Sequence, residues 1–338
     1  MMELESILAS PIDGTPLRRV GDTLKSDSGH EFPIVEGIPI LLLPDTNDTI
    51  GAMAASRAVV AGMGNVNSHD PYYLDTLGLT PEERARFRKE VGRKDSEIDP
   101  VAAFMIGATN GILYKNLVGR LPRYPIPHFR LEDGKDKLLL DLGCNWGRWC
   151  VAAAGRGFLP VGLDPQFGAV LAAKRVAEQL GVKAFFVCGD ARHLPFRHDV
   201  FDTVFSYSVL QHLPQKDVLR IAQESRRVLK AGGETFIQMP NALGIRCLQH
   251  QIMRGFREPR DFEVRYWMLR HLRRLFEREV GATKLEIDCF FGLGLQGSDV
   301  DLMRFPFSFL VRVSELLRRL PVLIPVADSV YVRSHKNS

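Results

Sequence analysis

The stretch 138–149, LLLDLGCNWGRW, constrains the fold more than any other part of this chain. Its apolar run, 137–142, has the length and composition of a strand buried on both faces of a parallel sheet. Asp141 stands near the end of that strand, Gly143 and Gly147 follow, and a helix can start directly after them. Glycine lets the backbone approach a ligand closely or take a positive φ. A helix N-terminus offers unpaired N–H groups and a partial positive charge. A strand, turn and helix in this order form a holder for a nucleotide-like ligand. The spacing is Gly-x-x-x-Gly, a poor match to the Gly-x-Gly-x-x-Gly dinucleotide fingerprint. Asn145 lies between the glycines, and asparagine is enriched among the non-glycine residues that adopt positive φ.

After this stretch, strand and helix patterns alternate, as in a doubly wound parallel sheet. Further strands are expected at 158–163, 183–188, 201–207, 234–239, 284–290 and 329–333. Helices are expected at 167–180, closed by Gly181; at 215–229, stopped by Gly232 and Gly233; and at 265–279 and 308–320. Asp164 and Asp190 end the second and third of these strands. In such sheets, ligands sit outside the carboxyl ends of the strands, at the switch in strand order. Asp164 lies about 20 residues past the glycine turn, where an acid accepts hydrogen bonds from ribose hydroxyls. Asp190 can accept from an adenine amino group, with a backbone N–H near Ala191 reaching a ring nitrogen.

The glycine turn resembles motif I of the class I S-adenosylmethionine methyltransferases, usually D-x-G-C-G-x-G, with Asn145 in place of the middle glycine. FDTVFSYSVLQHLP, 201–214, resembles the fourth motif of that family. RVLKAGGETFIQMPN, 227–241, resembles the leucine-lysine-x-glycine-glycine motif that precedes the fifth strand. The resemblance implies an α/β fold with a doubly wound, seven-stranded, Rossmann-like sheet whose last strand enters antiparallel between the fifth and sixth. It implies S-adenosylmethionine as cofactor and S-adenosylhomocysteine as product. The cofactor contacts it implies fall on Asp141, Gly143, Cys144, Asn145, Gly147, Arg148, Asp164, Pro165, Asp190, Ala191 and Ser206. Arg148 is a candidate partner for the methionine carboxylate, and Trp146 and Trp149 are candidate pocket walls. The reaction implied is direct in-line displacement of a methyl group from sulfonium. His212 is the first candidate for a base, because an imidazole titrates near neutral pH. Tyr207 and His193 are weaker candidates.

Ahead of this domain lie two further segments. Residues 1–44 read as a small β-rich unit, and its ending HEFPIVEGIPILLLPD resembles the end of the zinc-ribbon-like domain associated with some methyltransferases. Alignment on that ending puts Ser10, Asp13, Lys25 and Ser28 where the family has cysteines, so no metal is expected there. Residues 45–135 read as a helical preamble, with helix starts at Thr80-Pro81-Glu82-Glu83 and Asp99-Pro100. The three prolines of LPRYPIPHF, 121–129, favour an extended crossing. In the family such a preamble lies over the cofactor, which makes Tyr72, Tyr73, Tyr114, Tyr124 and His128 candidates for lining the substrate pocket. The methyltransferase domain then spans 136–338, with an insertion at about 241–263.

Composition narrows the partners. The formal charge of +4 is too mild to imply nucleic acid, and Glu258, Asp261, Glu263, Glu277 and Glu279 interleave with the arginines after residue 241. No early segment resembles a signal peptide, and no run reaches the ~18–20 apolar residues of a spanning helix. The five cysteines form no C-x-x-C pair and read as free thiols of a cytoplasmic protein. The apolar side of the 308–320 helix is expected to pack on the core, so the sequence lends peripheral membrane contact no support. A small-molecule acceptor is expected; the sequence identifies neither the acceptor nor the oligomeric state. Two other function classes remain open at this level: a nicotinamide-dependent oxidoreductase and a non-catalytic methyltransferase-like scaffold.

Overall fold

A computed structural model describes residues 3–43, 52–62, 80–91, 97–110, 114, 121–303 and 305–337. Tyr72 and Tyr73 lie outside the described residues. The chain forms two compact units, one from residues 1–136 with 143–197, the other from 137–142 with 198–338.

The first unit opens with four short strands, β1 (Leu17–Val20), β2 (Thr23–Ser26), β3 (Glu31–Val35) and β4 (Ile38–Leu41). They pair antiparallel in succession. The hinge of this meander is a cluster of short polar side chains. Ser28 Oγ donates to Asp13, Ser26 and Ser28 hydroxyls bond each other at 2.8 Å, and Ile12 N donates to Ser10 Oγ at 3.3 Å. Ser10, Asp13 and Ser28 thus meet, while Lys25 turns away to pair with Glu31. Hydrogen bonds to Ser28 and Thr15 hold the exposed Asp13 carboxyl well below the usual carboxylate range.

Three helices follow, α1 (Ala52–Gly62), α2 (Pro81–Val91) and α3 (Pro100–Thr109). Their starts follow the sequence: Thr80 and Glu83 form a reciprocal cap, and Asp99 accepts from the N–H groups of Val101 and Ala102. Along the chain come β5 (Leu138–Leu142), α4 (Arg148–Ala154), β6 (Leu159–Asp164), α5 (Phe167–Gln179) and β7 (Phe185–Gly189). Of these, β6 and β7 pair parallel within the first unit, and β7 pairs parallel with β4, Ile40 lying opposite Cys188. The N-terminal strands therefore do not stand apart from the sheet. They continue it, and β4 is buried along its whole length. Eleven strands are formed among the described residues, where the sequence expectation counted seven. Ser56 of α1 fixes the start of α5: its hydroxyl accepts from Phe167 N at 2.9 Å and donates to Pro165 O at 2.7 Å.

The second unit holds β5 together with β8 (Phe201–Ser206), α6 (Gln215–Val228), β9 (Leu229–Pro240), α7 (Ile245–Met253), α8 (Leu269–Glu279), β10 (Gly281–Cys289), α9 (Phe307–Leu317) and β11 (Ser329–Lys336). β5, β8 and β9 run parallel, and β11 lies antiparallel between β9 and β10. The stacked rings of Phe236 and Tyr331, 4.0 Å apart, tie β11 to β9. Two boundaries differ from the sequence expectation. Gly232 and Gly233 do not stop α6 from a distance; β9 begins at Leu229, and the glycines sit in a bulge between its pairings to Phe201 and Thr203. α8 begins at Leu269 rather than 265, because Arg265 N bonds Gln211 O and Trp267 N bonds Pro240 O, which keeps that stretch extended.

Candidate functional site

The glycine turn is built entirely from residues of the first unit beyond β5. Gly143, Asn145 and Gly147 take φ of 74°, 48° and 81°, so every second residue is in the left-handed region. The end of β6 holds this path. Gly143 N and Cys144 N both donate to Leu163 O, at 2.8 and 3.1 Å, and Asn145 N donates to Asp164 Oδ2 at 3.0 Å. Asn145 supports its own conformation: its Oδ1 accepts from Trp146 N at 2.8 Å. A Cβ on Gly147 would come 2.9 Å from the Cβ of Ala173 on α5, so only glycine fits that close approach.

Asp164 is buried and accepts from the backbone on both sides, Asn145 N on Oδ2 and Gln166 N on Oδ1 at 2.9 Å. Burial raises its carboxyl from the ordinary 3.8 to about 6, although the two N–H groups pull it down. A folded-state value above the unfolded one means that the neutral acid favours the fold. That contribution is complete below the unfolded pKa and is lost as pH rises through the folded one. It amounts to ~3 kcal/mol, at about 1.4 kcal/mol per unit. We expect urea titrations of wild type and Asp164→Ala to show wild type losing up to ~3 kcal/mol relative to the variant between about pH 4 and about pH 7. A pH-independent difference would contradict this assignment of the carboxyl.

The other residues anticipated around the cofactor are placed as follows. Asp190 is buried but already engaged: Arg192 donates from its N, Nε and guanidinium to the carboxylate at 2.9 to 3.1 Å. An adenine amino group would have to share that carboxylate with Arg192, a partner the sequence reading missed. Ala191 is half-buried beside it. Arg148 is half-buried with its guanidinium 5.2 Å from the Trp149 ring. Trp146 is fully buried; it stacks on Tyr124 at 5.8 Å and donates from Nε1 to Asn110 Oδ1 at 3.3 Å. The Tyr124 hydroxyl donates to Gln179 Oε1 at 2.6 Å and accepts from Asp99 N at 2.7 Å, joining α3 to α5, and burial pushes its pKa up to about 12. Tyr124 therefore supports the turn from behind with its ring and offers no free hydroxyl to a substrate. Tyr114 is buried, and His128 is exposed and bonded to Arg156.

In the second unit, Asp141 is buried within β5. Ser206 Oγ donates to Leu142 O at 2.9 Å and so fastens β8 to β5. The Tyr207 hydroxyl is the centre of a polar network that local sequence could not show. It donates to Asp288 Oδ2 at 3.0 Å and accepts from Gln296 Nε2 at 2.7 Å; Ser329 Oγ donates to the same Asp288 oxygen at 2.7 Å. His212 has a structural setting instead. Its Nδ1 bonds Phe262 O at 2.6 Å, its Nε2 lies 3.2 Å from the Gln211 amide, and its ring stacks on Phe262 at 3.8 Å. Donation from Nδ1 to the carbonyl leaves Nε2 as the acceptor of the Gln211 amide, which is the neutral tautomer. Burial, assisted by Arg265, lowers its pKa against the opposing Phe262 bond. The first candidate base is thus occupied on both nitrogens. His193 is half-buried and donates its backbone N–H to Asp190 O.

Residues 139–233 match the family model described as a methyltransferase domain. The biotin biosynthesis bifunctional protein BioHC of Cellvibrio japonicus is 37% identical over 99 residues, covering 29% of this chain and 19% of that protein. A ubiquinone biosynthesis O-methyltransferase of Coxiella burnetii is 30% identical over 107 residues, 32% of this chain and 45% of that protein. The chain spans less than half the length of these two relatives. The solved structure of an S-adenosylmethionine-dependent methyltransferase from Mesorhizobium loti aligns at 15% identity over 61% of this chain and 94% of that one, with a TM-score of 0.42.

Proposed function

We propose that this chain, a class I methyltransferase by its 139–233 domain, transfers a methyl group from S-adenosylmethionine to a small-molecule acceptor. The observation that carries the reading is the join between Asp164 and the glycine turn. A buried acid at the end of β6 holds a backbone in which residues 143, 145 and 147 all take positive φ. The close approach of Gly147 to Ala173 of α5 fixes the helix start behind that turn. Gly143, Cys144, Asn145, Gly147 and Arg148 would face its methionine end. Asp164, with Pro165 beside it, would accept from the ribose hydroxyls, and Asp190 with the Ala191 N–H would meet the adenine. Asp141 and Ser206 we assign to holding strand ends near the turn in sequence.

When bound, the cofactor supplies a methyl group already activated by its sulfonium. The chain's part is to hold nucleophile, carbon and sulfur in line and to exclude water, which can lower a barrier by roughly 7–11 kcal/mol. An oxygen or nitrogen acceptor must also lose a proton; we assign its receipt to Tyr207 as Tyr207 passes its own hydroxyl proton to Asp288 Oδ2, which ends protonated. A small-molecule acceptor is supported by the fate of four arginines between residues 241 and 265. Arg246 bonds Gly292 O, Arg254 bonds Val264 O, Arg257 pairs with Glu263 at 2.6 Å, and Arg265 bonds His212 O. Those cations are spent inside the unit and do not form a nucleic-acid track.

The test is to incubate the protein with isotopically methyl-labelled cofactor and fractionated small metabolites, following label transfer and S-adenosylhomocysteine release. Once an acceptor is found, Tyr207→Phe should lower kcat roughly 100-fold and leave S-adenosylhomocysteine affinity unchanged. Equal loss of both would assign Tyr207 to binding, and an unchanged kcat would remove it from the mechanism.

A further inference from the structure

The sequence expectation placed Phe309, Leu310, Val313, Leu316 and Leu317 of α9 against the core; Leu317 packs there beside Phe290, but Phe309 and Leu316 face solvent. Val311 and Ser314 are buried, and Ser314 Oγ accepts from Phe290 N and Phe291 N, both at 3.0 Å. The face left to solvent carries Phe305 (80% exposed), Phe309 (56%) and Leu316 (63%), and the turn after the helix adds Val322 (80%). Positions 309 and 316, seven residues apart, share one side of α9, and Phe305 lies just ahead of the helix. The Phe305 and Phe309 rings lie 6.4 Å apart.

The same unit carries a second exposed apolar stripe. α7 and the turn after it present Met253 (77%) and Phe256 (65%). The start of α7 is tied to the segment that follows Val322. Asp328 Oδ1 accepts from Arg246 N at 2.7 Å, and Asn241 Nδ2 donates to the carbonyls of Pro325 and Ala327 at 2.9 and 3.0 Å. Singly exposed apolar residues are ordinary; a contiguous set of this size marks an interaction surface.

Charge identifies the occupant. Arg312 and Arg319 are exposed on α9 beside the apolar stripe and form no ion pair among the described residues. The only acid between 305 and 326 is Glu315, and Arg318 binds it at 2.7 Å. The face is therefore apolar and cationic, with its one carboxylate neutralised. A second copy of the chain across a two-fold axis would set the same arginines against each other. A nucleic acid would find phosphate partners but would leave the exposed Phe309, Leu316 and Val322 without an apolar partner. A bilayer with anionic headgroups satisfies both components, taking phenyl rings at the acyl boundary and arginines at the phosphates.

We propose that this face of the second unit docks on an anionic phospholipid bilayer, Phe305, Phe309, Leu316 and Val322 entering the interface while Arg312 and Arg319 meet lipid phosphates. The docking does not require that the chain transfer a methyl group.

Flotation with vesicles tests it, using pure phosphatidylcholine and phosphatidylcholine mixed with phosphatidylglycerol. Wild type should float with the mixed vesicles, weakly with the neutral ones, and less as salt rises. Phe309→Glu should weaken partition at least about 10-fold, and Arg312→Glu at least about five-fold. Both sites are exposed, so circular dichroism should match wild type; a misfolded Phe309→Glu would be replaced by Leu316→Glu. Absence of wild-type binding to the mixed vesicles overturns the proposal, as does binding of either variant as tight as that of wild type. A dimer in sedimentation velocity that Phe309→Glu dissolves would assign the face to a second copy instead. Tighter binding of single-stranded RNA than of the mixed vesicles, lost in Arg312→Glu, would assign it to nucleic acid; either result overturns the lipid reading.

Discussion

Replacing Asp164 with asparagine should weaken S-adenosylhomocysteine binding by about 10- to 150-fold while leaving the chain folded. The carboxylate has two sets of partners to satisfy. Within the protein it accepts from Asn145 N and Gln166 N, one on each oxygen. Towards a ribose it would accept from hydroxyls with its remaining lone pairs. Asparagine keeps one oxygen and presents an N–H₂ where the second was, so one backbone N–H faces a donor and one ribose hydroxyl loses its acceptor. Hydrogen bonds to a charged group contribute about 1.5–3 kcal/mol each, and 1.4 kcal/mol is tenfold in affinity. The mismatched backbone N–H is the same with and without ligand, so the ribose loss alone sets the change in affinity, about 10- to 150-fold. Calorimetric titration measures it, and a change under about threefold would show that Asp164 does not meet the ligand. Because the wild-type carboxyl titrates at about 6, wild-type affinity should also fall as pH drops below that value, and the asparagine variant should show no such fall.

Gly147→Ala should destabilise the fold by ~2–4 kcal/mol, far more than the same change at Gly181. Both glycines have positive φ, 81° and 65°, so both substitutions incur the ~1–2 kcal/mol cost of left-handed backbone. They differ in surroundings. A Cβ on Gly181 meets nothing within 4 Å, whereas one on Gly147 meets Ala173 Cβ at 2.9 Å and Ala173 Cα at 3.3 Å. Those atoms belong to the backbone end of a packed helix and cannot rotate away. Overpacking of this kind adds about 1–3 kcal/mol. Denaturant midpoints of the two variants measure the difference; equal midpoints would mean that the turn yields without cost.

The turn was legible because its determinants are local. Gly143, Asn145, Gly147 and Asp164 lie within one strand, one turn and the next strand end, and residue type with spacing sets their backbone. The antiparallel final strand followed from resemblance rather than from any property of residues 329–336. What the sequence could not show depends on pairs distant in the chain. The β4–β7 pairing joins residue 40 to residue 188, and no local pattern distinguishes it from a free-standing hairpin. Tyr207 and Asp288 are 81 residues apart, so the network that replaces His212 as the proton-accepting candidate was invisible. His212 itself looked apt from its position after β8, yet its partner Phe262 lies 50 residues on. α9 failed for another reason. Its apolar residues fit two faces, and the choice fell to Ser314, whose hydroxyl caps two N–H groups and draws the polar-looking side inward.

The most direct test of the central claim is calorimetric titration of the purified protein with S-adenosylhomocysteine, with NAD as the comparison ligand. S-adenosylhomocysteine should bind one-to-one at micromolar affinity that weakens below about pH 6, and NAD should give no heat. A well-folded protein that ignores S-adenosylhomocysteine, or one that takes NAD in its place, would contradict it.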